Sequence, residues 1–328
     1  MMKDLIFNSI FKKEFQDLIT LKQAQGFKYI SECSAFLRLD KFFYENKITE
    51  KVITHEMVEK WCRKTSYETA RNQAGRISIL RVFCTYLNDI GIEAYIPPKG
   101  LVRKTPKYDA HIYTDKELKQ FFNAVDQSKS VPLKSPYRHL VMPIFFRILY
   151  TSGLRVSELR LLKIKDFHLD KGYLIVRSGK NKKDRIVPVH PTLVQKCIEL
   201  KKTIHQESEE DEYFFMIVPG VPMKLHTIYR NFRRYLEKAG ISHTGKGPRV
   251  HDFRHTYCVN LLKMWLEEGK DLLNYLPYMK TMLGHETFEE TAYYLKLTQS
   301  LFPALTGKLE EAYSEMIEVV IPNEKEFY

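Results

Sequence analysis

Six residues capable of phosphoryl chemistry follow one another in the second half of the chain: Arg155, Lys180, His251, Arg254, His285 and Tyr294. Arg155 lies in Thr151-Ser152-Gly153-Leu154-Arg155-Val156-Ser157-Glu158-Leu159 and Lys180 in Ser178-Gly179-Lys180. His251 and Arg254 share His251-Asp252-Phe253-Arg254-His255, and His285 ends Leu283-Gly284-His285, nine residues before Tyr294. Planar guanidinium groups bind two phosphate oxygens at once and stay charged at any physiological pH. Phosphoryl transfer needs donors arranged around the equatorial oxygens, and histidine and lysine can move protons to and from the attacking and leaving oxygens. A tyrosine hydroxyl, with an unperturbed pKa of about 10, needs a base or cations beside it to attack. The set reads as machinery for a covalent phosphotyrosine step.

Competing chemistries lack their residues. No carboxylate cluster of the kind that holds paired magnesium ions is visible. His285-Glu286 begins like H-E-x-x-H, but Glu289 stands where the second histidine belongs, and no G-x-x-x-x-G-K-[ST] loop occurs. A mechanism without metal, ATP or other cofactor is therefore expected. Taken singly, each residue also has a plain structural use. Arg155 could be an ion-pair partner, His251 and His255 a capping or core-polar pair, Lys180 ordinary turn chemistry, and Tyr294 one of 20 packing tyrosines. It is the ordered set that points to catalysis.

The elements that must position these residues fall into two groups. The first hundred residues read as helices. Phe7, Ile10, Phe11, Phe15, Leu18 and Ile19 repeat at helical spacing, and a second run extends from Ser31 to Tyr44. Thr54 caps a short third helix with Met57, Val58 and Trp61, and a fourth spans roughly Ser66 to Asn88. The polar, basic side of that fourth helix carries Thr69, Arg71, Asn72 and Arg76, which suits a helix on a DNA backbone and equally a solvated face. Gly91 closes it, and Pro97, Pro98 and Pro106 stiffen a basic linker. Thr114-x-x-Glu117 then forms a capping box opening a new helix. An apolar helix ending at Gly153 follows, then a β-hairpin, GYLIVRSG and DRIVPV, with a charged tip. Further helices are expected near Pro191–Thr203, Leu225–Ala239 and Asp252–Glu267 and onward, with Gln206–Glu212 a solvated acidic loop. The expected organisation is a helical domain at 1–95, a linker at 96–110, a mixed domain at 111–316 and a tail at 317–328. The fold class is mainly α with a small β-sheet.

Composition agrees with a DNA partner. The 328 residues carry a formal net charge of +12, which favours a polyanion. Five scattered cysteines form no C-x-x-C pair, so reduced thiols and a cytoplasmic setting are expected. No signal-peptide pattern opens the chain, and no run of 18 or more apolar residues suggests a membrane span.

The ordered set R…K…H-x-x-R…G-H…Y resembles the catalytic signature of the tyrosine recombinases, the phage integrase family, with TSGLRVSEL and HDFRHTY its closest boxes. The resemblance covers about residues 111–300. It implies an α+β tyrosine-recombinase catalytic domain preceded by a helical (SAM-like) core-binding domain. In that reading Arg155 and Arg254 grip the scissile phosphate, and Lys180 protonates the leaving 5′-oxygen. His251 moves a proton with the tyrosine, His285 completes the cradle, and Tyr294 forms a 3′-phosphotyrosyl link. Glu158 matches an acidic position that orients the site, while His255 reads as structural. Two choices stay open. The Tyr293-Tyr294 doublet offers two nucleophiles, with spacing from His285 favouring Tyr294. Lys182 and Lys183 compete with Lys180, which follows Gly179 directly. Lys104 and Lys182 join Thr69, Arg71, Asn72 and Arg76 as candidate DNA contacts. The segment between Arg254 and His285 is longer than in compact chromosome-dimer-resolving members and resembles integrases of transposons and other mobile elements.

The partners implied are double-stranded DNA with specific sites, a homotetramer on DNA, and a partner recombinase or accessory DNA-bending protein. The apolar tail residues Met316, Ile317, Val319, Val320 and Ile321 would dock on a neighbouring protomer or pack on their own domain. The alternatives are a type IB topoisomerase-like DNA-relaxing enzyme and a DNA-binding relative without chemistry.

Overall fold

The structure, a computed structural model, describes residues 5–27, 29–102, 108–177, 184–245 and 247–301. The chain divides into two units, Met1–Lys107 and Tyr108–Tyr328. Lys104, Lys180, Lys182 and the expected tail at 317–328 lie outside the described residues.

In the first unit the helices are α1 (Lys12–Ala24), α2 (Ile30–Glu45), α3 (His55–Cys62) and α4 (Ala70–Asp89). Their shared core is aromatic. Phe15 stacks on Phe83 with ring centroids 4.1 Å apart, and Phe11, Phe36 and Phe43 close around that pair. Two helix starts differ from the sequence reading. The α1 helix begins at Lys12 rather than near Phe7, because the buried Asp40 carboxylate takes the N–H groups of Asn8 (2.8 Å) and Ser9 (2.9 Å). The α4 helix begins at Ala70 rather than Ser66, because the Thr69 hydroxyl accepts the Asn72 N–H and makes Thr69 the N-cap. Thr54 caps α3 in the same way.

The second unit packs helices around a three-stranded antiparallel sheet. It opens with α5 (Asp115–Asp126), where Thr114 and Glu117 complete the capping box, and α6 (Arg138–Ser152). The short α7 (Val156–Leu159) leads through a 3-10 turn to β1 (Phe167–His168), β2 (Tyr173–Val176) and β3 (Arg185–Pro188). Register pairs Tyr173 with Pro188 and Val176 with Arg185. There follow α8 (Pro191–Ile204), α9 (Leu225–Lys238), α10 (Asp252–Glu267), α11 (Leu272–Leu283) and α12 (Glu289–Leu301). The acidic loop is exposed, with Asp211 paired to Lys163 and Lys165 and Glu210 to Lys201.

Two apolar clusters hold this unit. The larger sets Phe121, Phe146, Phe232 and Phe253 ring to ring between α5, α6, α9 and α10. The smaller joins α10, α11 and α12 through Leu262, Trp265, Leu276, Met279, Leu283 and Tyr294. The long segment after Arg254 thus becomes the end of α10, a turn, and α11. Among the described residues no helix is long and apolar enough to cross a membrane.

Phe15 is fully buried against Phe83, so Phe15→Ala leaves a void that the surrounding rings cannot fill. The expected loss is about 3–5 kcal/mol of the first unit's stability, read from urea denaturation. A loss below about 1 kcal/mol would mean that this core collapses freely around the gap.

Candidate active site

Three chain turns meet at one arginine. Arg254 sits in the first turn of α10 and is only 2% exposed. Its guanidinium donates to the Gly153 carbonyl (2.8 Å), just past α6, and to the Leu283 carbonyl (2.9 Å), the last residue of α11. Both acceptors are carbonyls at helix C-termini, where the backbone concentrates negative potential. Among the described residues, the hydrogen bonds of this buried cation go to carbonyls and not to a carboxylate.

Both turns need glycine. Gly153 has φ of +63°, and a Cβ there would lie 2.6 Å from Tyr257 and 2.9 Å from Leu283. Gly284 has φ of +62°, and a Cβ there would lie 2.9 Å from the Arg185 guanidinium. Directly after Gly153 and Leu154, Arg155 becomes the N-cap of α7. Its side chain reaches Glu158 (3.1 Å) and lies 3.4 Å from the Gly284 carbonyl, while Glu158 also accepts the Arg155 backbone N–H (2.9 Å). Just past Gly284, the buried His285 ring bonds through Nδ1 to Thr291 on α12 (2.8 Å).

Tyr294 lies on α12 and is 3% exposed, whereas Tyr293 is 40% exposed. The Tyr294 ring lies parallel to His285, 5.9 Å away, and 5.6 Å from His255. Arg254 and Cys258 are the charged or titratable groups that act on its hydroxyl. Burial pushes that hydroxyl well above its ordinary pKa, with Cys258 adding to the rise and Arg254 opposing it. The tyrosine is therefore a protonated phenol.

His251 precedes α10, its ring 4.9 Å from that of His255. Desolvation, then His255, Arg254 and Arg155, lower the His251 imidazole, although the residue keeps one side open to solvent. Burial and the Arg254 charge hold His255 down to about 4. Both rings are neutral near pH 7 and able to accept a proton.

The structure thus gathers Arg155, Glu158, His251, Arg254, His285 and Tyr294 within one unit. Thr69, Arg71, Asn72 and Arg76 lie in the other. There Thr69 caps α4, and Arg71 and Asn72 are exposed. Arg76 is drawn into the fold. It donates to both Glu68 carboxylate oxygens (2.9 and 2.7 Å) and to the Trp61 and Arg63 carbonyls, over the Trp61 ring.

The model of the phage integrase family matches residues 112–300, more than half of the chain. The chain belongs to the phage integrase family. It is a tyrosine-type site-specific DNA recombinase. The protein y4rB of Sinorhizobium fredii, described as an integrase/recombinase, is 26% identical over 316 residues, covering 94% of this chain and 99% of that one. A tyrosine recombinase of Pseudothermotoga lettingae is 29% identical over 290 residues, covering 86% and 91%. The Tn1549 transposon integrase in complex with circular intermediate DNA shares the fold, with a TM-score of 0.60, 16% identity, and coverage of 86% of this chain and 94% of that one.

Sequence reasoning passed over three residues that shape the recombinase's site. Cys258 packs with Tyr294 and raises its hydroxyl pKa, and Tyr257 packs over Gly153. Arg185, on β3, donates to Glu158 (2.7 Å) and to the Met282 carbonyl (2.9 Å). A signal for Arg185 existed. Strand alternation puts it in phase with buried Val187, while Ile186 faces outward, 61% exposed. A charge on the inward face of a strand needs a partner.

Two outcomes follow for the recombinase. Gly153→Ala forces a left-handed conformation and a clash with Tyr257, so it should cost about 1–3 kcal/mol in urea denaturation and disorder Arg155. Unchanged stability would mean that the turn relaxes without cost. The second concerns pH. The unfolded chain protonates near the ordinary histidine pKa of about 6.5, so the stability gained by keeping His255 neutral is complete above that range. It is lost as pH falls toward about 4. The urea midpoint should therefore drop between about pH 7 and pH 4.5, and His255→Gln should flatten part of that drop. Identical slopes for the two proteins would contradict the assignment.

Proposed function

We propose that this recombinase cuts and rejoins duplex DNA at defined sites through a 3′-phosphotyrosyl intermediate on Tyr294. One observation carries the reading. The Tyr294 ring lies parallel to His285 at 5.9 Å and 5.6 Å from His255, the residue after Arg254, so nucleophile and phosphate-binding groups would come from one protomer. Arg155, steadied by Glu158, supplies the second guanidinium, and His285 closes the cradle.

The chemistry balances without an outside energy source. The Tyr294 oxygen attacks phosphorus while its proton passes to neutral His251. The bond from phosphorus to the 5′-oxygen breaks, and Lys180 gives that oxygen a proton. A 5′-hydroxyl from the partner duplex then attacks the phosphotyrosine, reversing the proton transfers and freeing Tyr294. The ester is stored on tyrosine, so no metal or ATP is needed.

Exchange between two duplexes requires four cut strands and hence a tetramer on DNA. The first unit, the linker and the second unit would close on the duplex. Thr69, Arg71 and Asn72 would meet the phosphate backbone from the start of α4, joined by Lys104 and Lys182, with Arg76 bracing the turn before that helix. The tail at 317–328 would dock on a neighbouring protomer. Site-specificity and assembly separate this reading from a monomeric DNA-relaxing enzyme.

Covalent trapping tests it. Nicked suicide duplexes made from the DNA flanking the gene should leave protein attached on a denaturing gel for wild type and Tyr293→Phe, but not for Tyr294→Phe. Chelation with EDTA should leave the yield unchanged. Loss of the adduct in Tyr293→Phe alone would move the nucleophile by one residue. Specific binding without any adduct would favour the non-catalytic relative.

A further inference from the structure

Arg185 belongs to none of the roles assigned so far, yet it touches three of the parts that build the site. It opens β3 and pairs with Val176, at the end of the β2–β3 pairing that residues 178–183, Lys180 among them, connect in sequence. Its side chain is 7% exposed. One guanidinium nitrogen donates to Glu158 Oε2 (2.7 Å), the same oxygen that accepts the Arg155 backbone N–H (2.9 Å). The other Glu158 oxygen takes the Arg155 guanidinium (3.1 Å). On its far side, Arg185 Nε donates to the Met282 carbonyl (2.9 Å), and the guanidinium fills the space that Gly284 leaves by lacking a side chain.

This is more than an ion pair on a sheet edge. Burial alone would raise the Glu158 carboxyl, but the hydrogen bond and charge of Arg185, with Arg155, hold it below its ordinary value. Without Arg185, Glu158 would keep a single cation, and the turn before His285 would lose the group packed beneath Gly284. A lysine offers one compact ammonium and cannot meet the carboxylate and the carbonyl together as a fork does.

We propose that Arg185 is a positioning residue that fixes Arg155 through Glu158 and at the same time sets the Gly284-His285 turn, coupling the β2–β3 sheet to the phosphate-binding groups. The proposal rests on the recombinase reading for its effect on rate, and on the geometry alone for its effect on Arg155. Misplacing a catalytic group by about 1 Å costs on the order of 100-fold in rate, which sets the scale expected for Arg185→Ala.

The test uses the full chain with two readouts. The first is solvent exchange of the Arg155 side-chain N–H protons by NMR without DNA, assigned by comparison with Arg155→Lys. Exchange should be about 10-fold faster in Arg185→Ala and intermediate in Arg185→Lys, as expected when one strong hydrogen bond to a shared acceptor is lost. The second is the rate of covalent adduct formation on nicked suicide duplexes from the DNA flanking the gene. It should fall about 100-fold in Arg185→Ala and recover in part on adding guanidinium ion at non-denaturing concentration. Arg185→Lys, which keeps charge and bulk, covers the case in which the alanine variant does not fold. Unchanged Arg155 exchange in a folded variant overturns the proposal, whether or not the wild type cleaves. A slower variant that guanidinium does not rescue, with Arg155 undisturbed, reduces Arg185 to a strut of the hairpin. Faster Arg155 exchange without any wild-type adduct supports the positioning role and counts against the cleavage reading instead.

Discussion

A guanidinium group taken out of water needs several hydrogen bonds to replace its hydration, and the second unit is arranged around meeting that need for Arg254. The Gly153 and Leu283 carbonyls belong to the ends of α6 and α11, distant in sequence. Binding both draws the turn that carries Arg155 and the turn that carries His285 to the same point. The cation is satisfied by backbone dipoles rather than by a carboxylate, so its charge is not cancelled. A full anion arriving in the pocket would meet a charge that the hydrogen bonds to carbonyls leave uncancelled. Structural need and binding capacity therefore reside in one side chain.

The other features follow from that clasp. Helix ends can approach Arg254 closely only if the residues just past them turn sharply, which explains the positive φ at Gly153 and Gly284. Tyr294 packs in the apolar cluster of α10, α11 and α12 beside Cys258, and the charge of Arg254 acts on its hydroxyl. A tyrosine so placed is shielded from solvent and protonated. His255 beside its ring, and His251 beside His255, are kept neutral by burial and cationic neighbours.

Much of this was legible in the residues. The capping box at Thr114 and Glu117 and the N-caps at Thr54 and Thr69 are local rules, and local rules can be read from a string. The α1 start could not be, because it depends on Asp40, some thirty residues away on another helix. Arg155, Arg254, His285 and Tyr294 stood out by type and order, and the fold brings them together. Arg76 shows the opposite case. A basic residue on a polar helix face suits a phosphate contact, yet three-dimensional proximity gives it Glu68 and two carbonyls. Arg185 was passed over because its partners come from two other segments, although the inverted alternation of β3 pointed inward.

The claim that Arg254 assembles the site is tested most directly by urea denaturation of Arg254→Met in the absence of DNA. If the clasp holds the turns, two buried carbonyls lose their donors and the second unit loses about 2–5 kcal/mol. If the buried charge is kept for function alone, the apolar side chain relieves it. The variant would then be as stable as the parent or more so, and the account would have to place the organising force elsewhere.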